Sequence, residues 1–224
     1  MGKLYNKFDG WLAINKEVGI SSAKVVNQVK KIMNLRKAGH AGTLDPLASG
    51  VVVICTGKKT KTINQLINES KEYVGEIRLG STTPSFDLET KIDKEFPLPK
   101  LDDNILKNIS NYFIGEILQI PPIFSAKRIN GKRAYQYARN NEEVVLKPNN
   151  VTIYNLELKV VDKNTISFNC HCSKGTYIRS LARDIGFFLD SGGHLISLKR
   201  VKSGNFSIEM AKSIDQWIDI IKAS

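Results

Sequence analysis

A chain of 224 residues can bury a full core, as one large domain or two small ones. With 33 Lys and Arg against 22 Asp and Glu the net charge is +11, which favours a polyanionic partner, although many basic proteins bind no nucleic acid. No apolar run reaches the roughly 18 residues of a membrane helix and the N-terminus lacks a signal-peptide core, so a cytoplasmic protein is expected.

Residues 11–15 predict a short apolar strand, followed by a turn at Gly19 and a helix capped by Ser21 or Ser22. Val25, Val26, Val29, Ile32 and Met33 recur along that helix at helical spacing. Its other face carries Lys24, Lys30 and Lys31, either a solvated face or a phosphate contact. Arg36, Lys37 and His40 lead into Gly42-Thr43-Leu44-Asp45-Pro46-Leu47-Ala48-Ser49-Gly50, an acid inside a turn shaped by glycines and a proline. Val51 to Ile54 then predicts a strand buried on both faces, with Gly50 placed for close backbone passage. Asp45 there is either a turn cap or, given partners, a chemical group.

Residues 58–68 predict a second amphipathic helix, and Lys71 to Leu79 a strand with Tyr73, Gly75, Ile77 and Leu79 on one face. Ser81 to Pro99 predicts a surface loop, and Asp102 or Asp103 the cap of a helix through Phe113. A strand at 117–120 ends at Pro121-Pro122. Phe124 to Tyr135 predicts a basic hairpin, with Lys127 and Arg128 before an Asn130-Gly131 turn and Lys132 and Arg133 after it. A short helix with Tyr135, Tyr137 and Arg139 follows; cations interleaved with aromatics suit RNA, and the bland reading is a solvated hairpin. Val151–Val161 and Thr165–Cys172 predict a hairpin whose alternation turns Cys170 and Cys172 into the core rather than toward a metal. A helix from about Thr176 to Leu189 carries Tyr177 and Arg179 in its first turn, where a cation needs a compensating anion; Asp45 is one candidate. A strand at 195–201 and a helix at 210–221 close the chain.

The run Gly42 to Gly50 resembles the signature of the TruB family, bacterial tRNA uridine-55 pseudouridine synthases. Three further segments agree in the family's order: Lys71-Glu72-Tyr73 with Arg78-Leu79-Gly80, Gln119-Ile120-Pro121-Pro122 with Ser125-Ala126, and Gly175-Thr176-Tyr177-Ile178-Arg179-Ser180-Leu181. The similarity runs from about Gly10 to about Trp217. It implies an α+β pseudouridine synthase fold, a central mixed but mostly antiparallel sheet flanked by helices. One catalytic domain over 1–224 is expected, with a basic RNA-clamping insertion at about 124–148 and no C-terminal PUA domain.

The resemblance also implies site roles. Asp45 is the catalytic aspartate, Arg179 its partner and Tyr73 the ring stacked on the target uracil. His40 lies beside the flipped nucleotide, although read from the residues alone it is equally a surface histidine. Tyr177 and Leu198 wall the pocket, and Lys16, Lys127 and Arg128 bind substrate. Two departures stand out: Pro84 occupies the place of a common acid, although Asp87 matches a later one, and Lys199 replaces an arginine in Leu198-Lys199-Arg200.

Pseudouridine formation breaks the bond from ribose C1′ to N1 of uracil and joins C5 instead. No atoms enter or leave, so no cofactor and no metal are expected. The implied partner is the T-arm stem-loop of tRNA, bound by a monomer that needs no protein partner and no membrane. The alternatives are a non-catalytic or dual-role RNA-binding protein assisting tRNA folding, a guide-RNA-dependent synthase of the dyskerin type, and a hydrolase, which would want a second carboxylate opposite Asp45.

Overall fold

The computed structural model describes residues 8–222 apart from 130, 141 and 143. Asn130, half of the expected Asn-Gly turn, lies outside the described residues. Among the described residues, nine strands form a mixed, mostly antiparallel sheet with helices packed against it, two further strand pairs stand apart from it, and the chain divides into two compact units, residues 1–74 with 198–224 and residues 75–197.

The first unit contains β1 (Trp11–Lys16), α1 (Ser22–Ile32), β2 (Ala38–His40), β3 (Ser49–Thr56) and α2 (Ile63–Ile67). It also holds the first residues of β4 (Lys71–Leu79). Ser21 caps α1 by accepting the Lys24 N–H at 3.2 Å, and Val25 and Val29 bury the inner face. β1 runs antiparallel to β3, with Trp11 opposite Cys55 and Lys16 opposite Gly50, and β2 pairs with the far end of β3. Val51, Val52, Val53 and Ile54 are all buried, so both faces of β3 are covered as its unbroken apolar run predicts.

One expectation fails here. Residues 57–62 form a 3₁₀ turn, and only Ile63–Ile67 is α-helical. The Thr60 and Thr62 hydroxyls bond back to the Gly57 and Lys59 carbonyls at 2.8 and 3.1 Å, competing with helical pairing.

The second unit continues β4 and adds β5 (Ser81–Thr82), which pairs with β6 (Lys94–Glu95), then α3 (Asp103–Phe113) and β7 (Gly115–Gln119). Asp102 caps α3 by accepting the Ile105 N–H at 2.8 Å. A small hairpin of β8 (Arg128–Ile129) and β9 (Lys132–Arg133) leads into α4 (Ala134–Arg139). β10 (Asn149–Asp162) and β11 (Thr165–Cys172) make the long hairpin, and α5 (Ile178–Phe188) follows. β10 pairs with β7 on its other side. Ile166, Phe168, Cys170 and Cys172 are buried, so both thiols do turn into the core. The alternation along β10 is broken by a bulge between Ile153 and Asn155, which leaves Tyr154 half exposed.

The expected surface loop at 81–99 is also corrected in part. Ser81, Thr82, Thr83, Ser85 and Asp87 are buried: the Thr83 and Ser85 hydroxyls donate to the Asp87 carbonyl, the Thr82 hydroxyl to Asp93 Oδ1, and the Asp87 carboxylate accepts the Glu89 N–H, so these groups meet protein partners rather than water.

β12 (Gly193–Ser203) begins in the second unit and ends in the first, where β13 (Phe206–Ser207) and α6 (Ile214–Lys222) complete the chain. In the first unit β12 runs parallel to β3, with Lys199 opposite Ser49 and Arg200 opposite Gly50. A methyl group on Gly50 would lie 2.2 Å from the Arg200 carbonyl oxygen, and its φ of +103° lies in the left-handed region. The close passage expected at Gly50 is real.

Candidate active site

In the first unit Asp45 sits half buried in the turn between β2 and β3, and this turn is fastened from three directions. Ser22, at the start of α1, donates its hydroxyl to the Leu44 carbonyl and accepts the Leu44 N–H, both at 2.9 Å. Lys16, at the end of β1, is 1% exposed and donates its ammonium to the carbonyls of Glu17, Ile20 and Pro46 at 2.8, 2.9 and 3.2 Å. The Gly19 N–H also reaches the Pro46 carbonyl, at 2.8 Å. From β12, Arg200 is equally buried and donates through Nε to Val51 at 2.7 Å, through Nη1 to Thr43 at 3.3 Å and through Nη2 to Gly42 at 3.2 Å, each bond ending on a carbonyl. The acid is thus carried on a loop whose backbone cannot drift independently of β1, α1, β3 or β12.

The same side chains set the charges. Burial pulls the Lys16 ammonium down to about 8, opposed by the Asp45 carboxylate and assisted by the Arg200 guanidinium. Burial, and after it Arg200, holds His40 below the usual imidazole range against a hydrogen bond from the Gly42 backbone. His40 is therefore a neutral ring at neutral pH. Tyr73 is buried at the start of β4, and Leu198 is half buried on β12.

In the second unit Arg179 is buried in the first turn of α5. Its Nη1 donates to the Ser85 carbonyl at 3.2 Å and its Nε lies 3.6 Å from Asp87 Oδ2. Asp87 is therefore one anion that compensates this cation at a helix N-terminus. The Asp87 carbonyl accepts the hydroxyls of Thr83 and Ser85 at 2.7 and 3.2 Å, and its Oδ1 accepts the Glu89 N–H at 2.9 Å. Phe86, between them, has a φ of +60° and lies under the Arg183 guanidinium at 4.9 Å. Tyr177 is the N-cap residue of α5, and its N–H donates to Gln119 Oε1 at 2.8 Å, while the Ser180 hydroxyl donates to the Ile120 carbonyl at 2.8 Å. The end of β7 is thereby tied to the start of α5.

On the basic hairpin Lys127 donates to the Lys147 carbonyl at 3.0 Å and to Asn149 Oδ1 at 2.7 Å, whereas Arg128 is exposed. Two cations stand over rings of α4, Lys132 of β9 over Tyr137 at 5.7 Å and Arg139 of α4 itself over Tyr135 at 5.3 Å.

The family model described as TruB family pseudouridylate synthase, N-terminal domain, matches residues 30–178. A Parabacteroides distasonis protein named tRNA pseudouridine synthase B is 45% identical over 221 residues, which cover 94% of this chain and 92% of that protein. The chain belongs to the TruB family of pseudouridylate synthases. A second relative of the same name, from Bacteroides fragilis, is 46% identical over 93% of both chains. One from Francisella philomiragia is 45% identical over 95% of this chain and 70% of its own. Among solved structures, a Cbf5-Nop10-Gar1 complex contains a chain matched at a TM-score of 0.73 and 29% identity over 94% of this chain. This chain spans about half of that one, since the match covers 54% of its length.

The TruB residues anticipated from sequence fall into two groups. His40, Asp45, Lys16, Tyr73 and Leu198 belong to the first unit, and Tyr177, Arg179, Lys127 and Arg128 to the second. Lys16, expected to bind substrate, spends its ammonium on three carbonyls of its own unit. Sequence reasoning missed the parts played by Arg200, Ser22, Gln119 and the Ser85 carbonyl. Arg200 had a partial signal, since it shares a face of its strand with Leu198 and a cation that turns inward must find acceptors; the carbonyl had none.

Proposed function

We propose that this chain isomerises a uridine of tRNA, position 55 in the T-arm, to pseudouridine, with Asp45 as the nucleophile. The observation that supports it most is near full-length identity of 45% to proteins named tRNA pseudouridine synthase B, joined to an aspartate turn fastened by Lys16, Ser22 and Arg200. A covalent or charge-stabilising carboxylate needs a fixed position relative to the sugar and base, and a loop held by three side chains provides it.

The target nucleotide leaves its stack and enters a water-poor site, at a cost of a few kcal/mol that contacts to the RNA offset. Arg179 is the cation that the family resemblance assigns to the reaction. Tyr73 stacks on the uracil, and Tyr177 and Leu198 wall it in. His40, neutral, lies beside the flipped nucleotide without adding charge. Lys127 and Arg128 meet backbone phosphates, and Lys16 serves substrate binding by bracing the Asp45 turn. The enzyme acts as a monomer in the cytoplasm, without a protein partner.

The test is mass-spectrometric mapping of pseudouridine in an unmodified tRNA transcript treated with the purified protein. Conversion at position 55 by the wild type, none by Asp45→Asn and severe loss in Arg179→Ala are expected. Binding without conversion by the wild type would favour a non-catalytic tRNA-folding protein instead.

A further inference from the structure

We infer that Gln119 reads the substrate base, donating a hydrogen bond from its side-chain amide to a carbonyl oxygen of the flipped uracil. This rests on the function proposed above. Gln119 closes β7, is 1% exposed, and its Nε2 is buried with no hydrogen-bond partner among the described residues. Such a donor is costly to leave unmet, so proteins rarely retain one without a use.

The orientation of the amide is fixed by chemistry. Oε1 accepts the Tyr177 N–H at 2.8 Å, and a backbone N–H can only donate, so the nitrogen is the end left over. Gln119 therefore performs two tasks with two ends. The oxygen caps the first turn of α5 at Tyr177, the residue assigned to the pocket wall, and the nitrogen keeps two N–H groups that meet no acceptor among the described residues. The Ser180 bond to the Ile120 carbonyl holds the adjoining backbone, so the amide cannot swing away without breaking the junction of β7 and α5.

Uracil presents two carbonyl acceptors, O2 and O4, on either side of its N3–H. A base that has left its stack is read by hydrogen bonds to that edge. A buried N–H donor accepts a carbonyl and rejects an amino group at the same place. At O4 it separates uracil from cytosine, which carries an amino group there and which a stacking ring does not reject; at O2, common to both bases, it positions the base.

The test uses full-length tRNA transcripts in which the target uridine is replaced by 2-thiouridine or 4-thiouridine, since sulfur is the poorer acceptor. Two variants are compared with wild type: Gln119→Glu, which keeps an oxygen for the Tyr177 amide and, ionised at pH 8, has no donor, and Gln119→Met, which keeps neither. Wild type should convert the oxo substrate about 10- to 100-fold better in kcat/KM than one of the two thio substrates, and which one names the carbonyl. In both variants the oxo rate should fall by that factor and the oxo-to-thio ratio should approach one, with KM and kcat both changed.

A ratio that stays at its wild-type value in either folded variant, or a wild type indifferent to both sulfurs, reduces Gln119 to a helix cap and overturns the inference. A wild type that forms no pseudouridine in any transcript overturns the proposed function, and this inference with it. An active wild type with an unchanged ratio overturns only the role of Gln119.

Discussion

The Asp45 turn and the basic hairpin are both short loops rich in polar groups, yet they are built on opposite plans. The turn is held by side chains that come from elsewhere in its unit, Lys16 from β1, Ser22 from α1 and Arg200 from β12, each ending on a backbone carbonyl. The hairpin is held by two-residue strands, by cation–ring pairs on and with the α4 that follows it, and by one anchor outside it, from Lys127 to the Lys147 carbonyl and Asn149. Bonds to carbonyls fix a position and are costly to lose, whereas exposed cation–ring pairs are worth about 0.5–1 kcal/mol each and can be exchanged for phosphate. A reacting carboxylate needs the first plan, and an element that meets RNA of varied shape suits the second.

Substitutions in the turn should therefore lower turnover, and those in the hairpin should weaken binding. The largest effect is expected from Asp45→Asn, which should fold, bind tRNA and lose about 10⁴-fold or more in kcat. Unchanged pseudouridine formation would remove the acid from the chemistry. Arg200→Met comes next. It strips partners from three carbonyls, so a loss of roughly 3 kcal/mol in unfolding free energy is expected, with kcat down about 100-fold through displacement of the turn. Because Arg200 also depresses His40, the imidazole titration followed by NMR should move upward in the same variant.

Lys16 gives a smaller effect with a definite pH sign. Its folded value of about 8 lies below the ordinary 10.5, so between these the unfolded chain holds a proton the folded chain has released, and stability rises with pH across that window. Turnover should move the other way. As the ammonium loses its proton, one carbonyl of its three loses a donor and kcat/KM should decline above pH 8. Lys16→Met should lose about tenfold at pH 7 and lack that limb. A limb that survives in the variant would assign it to another group.

The hairpin closes the series. Lys127→Ala with Arg128→Ala should raise KM about 5- to 10-fold with kcat kept, and should lower the slope of log affinity against log salt by about two. Loss in kcat instead would show that the hairpin shapes the reacting geometry.

Much of this contrast was readable beforehand. The acid at 45, the glycine at 50 and the apolar run at 51–54 that follows them marked out β3 and its turn, since buried strands and tight passages leave marks in residue type. The alternation of Ile166, Phe168, Cys170 and Cys172 gave the inner face of β11 for the same reason. The loop at 81–99 misled because Ser, Thr and Asp look alike whether they bond to water or to one another. Arg200, read only as part of a family triplet, gave no hint of which carbonyls it would reach, because acceptors on the main chain have no letter in the sequence. The unspent nitrogen of Gln119 was invisible for a related reason: only the location of the Tyr177 amide decides which end of the side chain remains available.

The missing methyl group at Gly50 carries a consequence for descent. With an oxygen of Arg200 standing 2.2 Å from where a β-carbon would be, even alanine demands that two parallel strands part. A one-residue slip between them would set Val51 or Ser49 against that oxygen, so the alignment tolerates neither insertion nor exchange. Saturation mutagenesis across 49–51 should leave glycine alone at its centre, and any lineage that altered it would have to rebuild the seat of its reacting acid.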